Sequence, residues 1–227
     1  MKFFIIILMF SLKSLSQEGY PDSVVDIGQD SLNKAQIKNS SCFPITISVN
    51  SKDYYVPAQS DFKLNVDSWG QWYWHPGNIG KMEEKVVLSP LDSKSVADFG
   101  PNSTETHTKE HEFSYDFSVP EGSSVYAIES GVVIRIVQHY EKAHQDKTRL
   151  NEVNKVEILH QDGSTGAYVH LKSQSVKVKL CELVSAGQMI GLSGNNGYST
   201  GPHLHIDVIR PIGAGKFKTV PLKFLSK

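Results

Sequence analysis

The stretch Ser193-Gly-Asn-Asn-Gly-Tyr-Ser-Thr-Gly-Pro-His-Leu-His-Ile-Asp-Val208 combines a glycine-bearing turn with the beginning of a strand. In the run LHIDVI, successive side chains alternate between two faces, so His203 and His205 point to the same side. Two imidazoles therefore share one small volume, and zinc favours such neutral nitrogen donors. A catalytic zinc site needs three protein ligands and one position left for water. The glycines of the preceding turn can bring backbone close to a bound substrate.

The rest of the chain from Phe99 onward consists of strand-like runs separated by glycine-bearing turns, and no stretch is convincingly helical. Asp162-Gly163, between KVEILH and AYVHL, predicts a hairpin. This hairpin would place His160 and His170 on adjacent antiparallel strands. The polar, charge-rich segment 140–154 predicts a long surface loop.

A second region, from Cys42 to Leu91, contains the short runs FPITISV, DYYVP, DFKLNV and EKVVLSP. Their β-branched and aromatic residues, separated by Asn, Ser, Gly and Pro, predict a small all-β module. Residues 69–75 hold all three tryptophans, which could stack on a sugar or form the core of the module. The polar residues 17–39 before it are interpreted as a linker or leading arm.

The first 16 residues are typical of a secretory signal peptide. Lys2 precedes an apolar run from Phe3 to Phe10, and small residues follow at Ser14 and Ser16, which predicts cleavage before Gln17. The apolar run is too short to span a bilayer. We therefore expect export to the periplasm or the exterior and no transmembrane segment in the mature chain. The alternative is a hydrophobic first strand of a cytosolic protein, although nothing nearby alternates or pairs with it.

Composition excludes several classes. The 227 residues are 39% hydrophobic, enough for an ordinary core, and the formal charge of -1 offers no electrostatic footprint for nucleic acid. The two cysteines, Cys42 and Cys181, could pair in an oxidising compartment, but they lie 139 residues apart and form no framework that defines a fold. Their pairing is left open at this point, as is the oligomeric state.

Three motifs together resemble the lysostaphin-like zinc endopeptidases, which cut the peptide bridges of bacterial peptidoglycan. These motifs are the stretch 193–208, the element YVHL at 168–171, and the block DFSVPEGSSVYAIESGVV that begins at Asp116. They occur in the family's order. The resemblance implies a mainly β fold, with an antiparallel β-sheet catalytic domain of the duplicated hybrid motif type at residues 96–227. Residues 40–95 would form the small N-terminal β-module, 17–39 the linker and 1–16 the signal peptide.

The resemblance also implies a site. The second histidine of HxH, His205, would bind zinc, and the first, His203, would be catalytic together with His170 of the YVHL element. Asp116 would be the carboxylate ligand. Many members place the third ligand four residues before this aspartate, but that position is Glu112 here.

The third ligand is therefore predicted from a longer spacing between the histidine and the aspartate. A subset of the family places a histidine about nine residues upstream of the aspartate, which favours His107 over His111 as the third ligand. Cys181 is a further departure, because similar sequences have a glycine there.

The activity implied is hydrolysis of peptidoglycan peptides by water activated at one Zn²⁺ per chain, with the turn 195–201 as a wall of the groove. Two alternatives are kept. The chain could be a catalytically inactive member that regulates or binds beside other wall hydrolases, or a zinc-containing structural or sugar-binding β-protein. Neither the nucleic-acid class nor a membrane-spanning class fits the sequence.

Overall fold

The regular secondary structure of the described residues is almost entirely β-strand. The computed structural model describes residues 25–29, 34–50, 52–64, 72–92, 100–101, 107, 109–213 and 216–225. Within these ranges the helices are two 3-10 turns, Lys109–His111 and Lys147–Arg149. None of the described helices is long or apolar enough to cross a bilayer. The prediction of a mainly β, largely antiparallel fold is confirmed.

The first six strands form two small antiparallel sheets with the orders β1-β2-β5 and β4-β3-β6. Their bounds are β1 Val25–Gln29, β2 Ala35–Asn39, β3 Ile45–Val49, β4 Lys52–Val56, β5 Ser60–Leu64 and β6 Trp72–Pro76. The two sheets enclose a core that includes Ile37, Phe43 and Ile47, and Trp74 packs against it. Trp74 thus serves the core, while Trp69 and the side chain of Trp72 lie outside the described residues.

Strands β1 and β2 lie inside the segment predicted as a linker. In β2 the side chains of Ala35, Ile37 and Asn39 are buried and those between them are exposed, which is the period-2 pattern of a half-buried strand. The alternation covers only five residues, so it is too short to stand out from a polar stretch. The signal peptide lies outside the described residues and stays a prediction.

Strand β7 Lys85–Leu88 pairs in parallel with the last strand, β19 Leu222–Leu225. Val87 and Leu91 belong to the larger core. The end of the segment predicted as the N-terminal module is therefore packed with the C-terminal domain, by a pairing between residues more than 130 positions apart that no local pattern indicates.

The C-terminal domain is centred on a seven-stranded sheet. Its path is β14-β10-β12-β13-β17-β18, and β8 pairs with β17. The remaining strands are β8 Tyr115–Ser118, β9 Ser124–Tyr126, β10 Gly131–Val137, β11 Ala143–His144, β12 Lys155–His160, β13 Thr165–Val169, β14 Leu183–Val184, β15 Met189–Leu192, β16 Gly197–Tyr198, β17 His203–Gly213 and β18 Lys216–Thr219.

The two faces of this sheet have different roles. Val156, Tyr168 and Ile206 lie opposite one another on neighbouring strands and are fully buried in the larger core. The alternate positions, such as Lys155 and His205, face the other side and line an open groove. In β13 and β17 this alternation separates the larger core from the groove. On β12 the groove face also carries Leu159, which is buried in the smaller core with Ile37 and Phe43.

The hairpin predicted at Asp162-Gly163 is confirmed by the pairing of β12 with β13. The carboxylate of Asp162 accepts a hydrogen bond of 3.0 Å from the backbone N–H of Ser164, and Gly163 has φ +82°. This left-handed conformation favours glycine. His160 ends β12 and His170 directly follows β13, so the expected arrangement of these two histidines is largely met.

Cys42 and Cys181 form a disulfide with a Cα–Cα distance of 5.9 Å. The bridge ties the N-terminal module to the segment that precedes β14. Cys181 has φ +66°, a left-handed backbone conformation that favours glycine.

Candidate active site

The pairing of β8 with β17 brings two of the proposed zinc ligands together. Asp116 lies directly opposite His205 in the antiparallel register. Side chains of directly opposed residues lie on the same face of a sheet with Cβ atoms about 5 Å apart. His203, two positions before His205, is on the same face and stands opposite Ser118.

His107 completes this cluster from the loop before β8. Its Nε2 lies 3.2 Å from Oδ2 of Asp116, and Nδ1 of His205 lies 2.8 Å from Oδ1 of the same carboxylate. One ligand atom from each of the three residues lies within 4.8 Å of the others. The structure thus brings together one carboxylate and two imidazoles in a volume of the size a metal ion occupies.

Of the two candidate histidines upstream of Asp116, only His107 reaches it. His107 is fully buried, and its Nδ1 lies 3.1 Å from the carbonyl oxygen of Gly100. His111 instead places its Nδ1 2.9 Å from Asp207, and its ring packs edge-on against Phe217. The histidine that lies against Asp116 is thus the one at the longer spacing.

Asp207 was not predicted from the sequence as a site residue, although it lies on the strand face that carries His203 and His205. Its carboxylate is 3.3 Å from Nε2 of His205 and accepts hydrogen bonds from Nδ1 of His111 and from the hydroxyl of Ser114. The signal was present, since position 207 continues the i, i+2 alternation of 203 and 205.

His170 and His203 stand beside the cluster with their ring centroids 4.3 Å apart. Nδ1 of His170 lies 2.7 Å from the carbonyl oxygen of Asn196, and Nδ1 of His203 lies 2.8 Å from that of Gly201. Because a carbonyl oxygen only accepts, each ring carries its proton on Nδ1. In the neutral form of each ring, Nε2 therefore keeps a lone pair.

Burial and neighbouring charges shift the pKa values of His170 and His205 in opposite directions. Burial lowers the pKa of His170 to about 3, and the neighbouring His203 and His205 add to this effect. Burial also disfavours the cation of His205, but the carboxylates of Asp207 and Asp116 outweigh it and raise the pKa of that ring to about 10. Without a metal, His205 is an imidazolium and His170 a neutral imidazole at neutral pH.

The two carboxyls shift in the opposite direction. Burial opposes the ionisation of Asp116, yet hydrogen bonds from His107 and His205 hold the pKa of its carboxyl well below the usual range. Asp207 is also buried, and the charge of His205 with the hydrogen bond from His111 lowers its pKa. Both side chains are therefore anions throughout the neutral range, as ligands or partners of ligands must be.

The cluster lies on the floor of a groove with a volume of about 850 Å³. Small and medium side chains such as Ala167 and Val169 continue this floor across β13. The turn after β16, including Ser199 and Gly201, lines the groove, and it forms the second half of the segment 195–201 that was expected to be a wall. Such a groove has room for an extended peptide.

The other histidines of the C-terminal half lie elsewhere. His160 directs Nδ1 to the carbonyl oxygen of Ser130 at 3.1 Å, and His139 stacks on Tyr140. His144 lies in β11, the short strand that pairs with β16. Among the described residues, none of these three histidines joins the metal-ligating group.

Comparison with known proteins places this arrangement in a family. The family model "Peptidase family M23" matches residues 110–216. The matched region contains Asp116, His170, His203 and His205, and it begins three positions after His107.

Several curated proteins are similar in sequence to this chain. The chain is 35% identical over 155 residues to the peptidoglycan DD-endopeptidase ShyA of Vibrio cholerae, which covers 65% of this chain and 33% of that protein. It is 35% identical over 94 residues to lysostaphin of Staphylococcus simulans, covering 41% of this chain and 17% of that protein. The chain therefore spans about a third or less of the length of these curated relatives.

Among solved structures, the catalytic domain of lysostaphin from Staphylococcus simulans aligns with 28% sequence identity and a TM-score of 0.36, covering 51% of this chain and 79% of that chain. The motifs at 116–133, 168–171 and 193–208 all lie inside the region that the family model matches. The chain therefore carries, at residues 110–216, a domain of peptidase family M23.

Proposed function

We propose that this protein is an exported zinc-dependent endopeptidase that hydrolyses peptide cross-links or stem peptides of bacterial peptidoglycan. The observation that carries the proposal is the convergence of His107, Asp116 and His205, with ligand atoms within 4.8 Å of one another. His170 and His203 stand beside them in the same groove. Structural zinc sites use four protein ligands, whereas three ligands with two further histidines suit a catalytic site.

The donor set fits zinc. The carbonyl of Gly100 accepts from Nδ1 of His107, which leaves Nε2 directed at the cluster. Asp207 accepts from Nε2 of His205, which leaves Nδ1 of that ring directed at Asp116. Metal-ligating histidines commonly donate their second N–H to a carbonyl or carboxylate in this way, because the partner fixes the ring and its tautomer.

A bound zinc ion supplies Lewis acidity, which polarises a peptide carbonyl and lowers the pKa of water toward about 7. The histidines of the chain would then accept the proton of the water and donate it again. Nε2 of either His170 or His203 can accept the proton of the attacking water, because both rings hold their own proton on Nδ1. The protonated Nε2–H can donate a hydrogen bond to the developing oxyanion or return the proton to the leaving amine.

The substrate class is supported by the relatives, one of which is named a peptidoglycan DD-endopeptidase and another lysostaphin. The groove agrees with a peptide substrate, since its floor of small side chains at β13 leaves space for an extended backbone. Export is supported by the predicted signal peptide and by the disulfide between Cys42 and Cys181, because disulfides persist in oxidising compartments.

The decisive experiment combines zinc content, measured by mass spectrometry, with the release of new amino groups from purified peptidoglycan. We expect about one zinc per chain and chelator-sensitive cleavage in the wild type. Both should be lost in His107→Ala, whereas His111→Ala should retain zinc. The exposed His139 offers a matched control, and His139→Ala should keep both properties.

Two outcomes would contradict the proposal in different ways. If zinc and cleavage were retained in His107→Ala but lost in His111→Ala, the protein would still be a zinc endopeptidase. The third zinc ligand would then be His111 and not His107. A folded wild type that binds wall material without zinc and without cleavage would overturn the catalytic function and favour the regulatory alternative.

A further inference from the structure

His170 has an unusual backbone conformation for a residue in an active site. Its φ is +63°, in the left-handed region that residues with a side chain rarely adopt. Such a conformation persists only where the surroundings hold it. The residues around His170 must therefore supply specific contacts that favour this backbone and this ring orientation.

Two buried asparagines supply them. Asn154, which directly precedes β12, and Asn196, in the turn before β16, are 0% and 2% exposed. Their side-chain amides both donate to the carbonyl oxygen of Leu171, at 2.9 and 2.6 Å. Leu171 directly follows His170, so these two donors fix the peptide group between Leu171 and Lys172. The backbone N–H of Leu171, in the peptide group next to His170, donates to the carbonyl oxygen of Asn154 at 3.4 Å.

The two asparagines are also bonded to each other. The backbone N–H of Asn154 donates to Oδ1 of Asn196 at 2.8 Å. The side chain of Asn154 further accepts from the backbone N–H of Tyr140 at 2.8 Å and donates to its carbonyl at 2.7 Å. Its amide thus uses both protons and its oxygen, and rotating it by half a turn would replace these bonds with like-to-like contacts. We name Asn154 and Asn196 the asparagine pair.

The pair reaches the ring of His170 through one further bond. The backbone carbonyl of Asn196 accepts from Nδ1 of His170 at 2.7 Å. The asparagine pair therefore anchors both the backbone after His170 and the tautomer of its imidazole. Neither asparagine lines the groove, and both are too deeply buried to contact a substrate there.

We propose that the asparagine pair is the positioning device for His170: it holds the left-handed backbone and the Nδ1–H tautomer, so that Nε2 faces the groove with its lone pair. This inference rests on the proposed function, because positioning matters only if His170 moves a proton. Buried polar networks of this kind are effective when every member is satisfied, as the side chain of Asn154 is.

The test replaces one amide nitrogen by oxygen. Asn154→Asp preserves shape but sets an acceptor against the carbonyls of Tyr140 and Leu171. We expect kcat on peptidoglycan peptides to fall about 10- to 100-fold, while KM changes by less than about twofold and the zinc content stays the same. Asn196→Asp, which loses only the donation to Leu171, is the milder second variant in case the first folds poorly.

A matched control lies in the N-terminal module. Asn39 is 1% exposed, and its amide donates to the carbonyls of Phe43 and Pro57 at 3.0 and 2.9 Å. Asn39→Asp makes the same chemical change at a buried site outside the groove. We expect a comparable loss of stability with unchanged kcat, which separates positioning from a general loss of folded protein.

A double variant tests whether the asparagine pair acts through His170. In a His170→Ala background, Asn154→Asp should change kcat by less than about twofold, because the pair acts through His170. The same 10- to 100-fold loss in both backgrounds would overturn the proposal.

The second measurement does not depend on activity. ¹⁵N NMR of the His170 ring should show a protonated Nδ1 in the wild type and mixed tautomers in Asn154→Asp. An unchanged tautomer would overturn the inference even in an active enzyme. A shifted tautomer in a protein that cleaves nothing would support the hydrogen-bonding role and count against the proposed function.

Discussion

Nε2 of His205 lies 3.3 Å from the carboxylate of Asp207, two positions further along the same strand. This contact turns Nδ1 of the ring toward Asp116, which it meets at 2.8 Å. One buried carboxylate thus determines which nitrogen of His205 is offered to a metal. It also links the site to His111, whose Nδ1 donates to Asp207 at 2.9 Å.

Asp207→Asn should weaken zinc binding by about 10- to 100-fold, because the ring of His205 loses an anionic partner that fixes its orientation and raises its basicity. Competition with a chromophoric chelator measures this affinity. The exposed Asp61 on β5 provides the control, and Asp61→Asn should leave the affinity unchanged. An equal affinity in Asp207→Asn and the wild type would contradict the role assigned to Asp207.

Zinc affinity should rise by about tenfold per pH unit between pH 7 and 8.5. Without metal, the carboxylates of Asp207 and Asp116 raise the pKa of His205 to about 10, so the ring must lose a proton to bind zinc in this range. Calorimetry in buffers of different ionisation enthalpy should count about one proton released per zinc. An affinity independent of pH would show that His205 is already neutral or is no ligand.

The stability of the metal-free protein should have the opposite dependence on pH. Because the folded-state pKa of His205 is raised from 6.5 to about 10, its contribution is complete below pH 6.5 and is lost as the pH rises through 10. Asp116 and Asp207 have lowered pKa values, so their contribution is present above about 3.8 and is lost as the pH falls.

Thermal unfolding measured from pH 4 to 9.5 tests this pH dependence of stability. The metal-free wild type should lose stability above pH 6.5, and His205→Gln should show a flatter dependence there. Parallel curves for the two proteins would mean that other groups determine the alkaline loss.

The sequence predicts the parts of the site that depend on local periodicity. The two-residue spacing of His203 and His205 on a strand predicts a shared face, and the structure has it. Asp207 continues that face, and the same rule would have identified it. The turn residues Asp162 and Gly163 likewise predict a hairpin from local chemistry alone.

The parts that the sequence could not supply depend on contacts between distant segments. The register that sets Asp116 opposite His205 joins strands almost ninety positions apart. The parallel pairing of β7 with β19 and the hydrogen bond between Asn154 and Asn196 are also non-local. Such contacts follow from how sheets close around a common core, which no window of a single sequence encodes.

His170→Ala and His203→Ala should each lower kcat by about 10²- to 10⁴-fold while zinc remains bound, because these rings are proposed to move protons and not to bind metal. Asp116→Ala should instead lose the metal, since its carboxylate contacts both proposed histidine ligands at 3.2 and 2.8 Å. Zinc content and peptide hydrolysis measured on the same samples distinguish the two classes. Loss of zinc in His170→Ala would assign that ring to the ligands.

Removing the disulfide should destabilise the protein by about 2–4 kcal/mol, because the bridge closes a long loop of 139 positions. The residue that replaces Cys181 should matter, since its φ of +66° favours glycine. Cys42→Ala with Cys181→Gly should therefore be more stable, by about 1 kcal/mol, than Cys42→Ala with Cys181→Ala. Urea unfolding followed by tryptophan fluorescence measures both double variants.

Lys179 provides the control for this comparison, because it is exposed and is not among the residues with positive φ. There Lys179→Gly should be less stable than Lys179→Ala, since glycine loses more conformational freedom on folding. If glycine were also the less stable choice at position 181, the turn would relax once the bridge is gone. The left-handed backbone would then be a consequence of the disulfide and not a property of the fold.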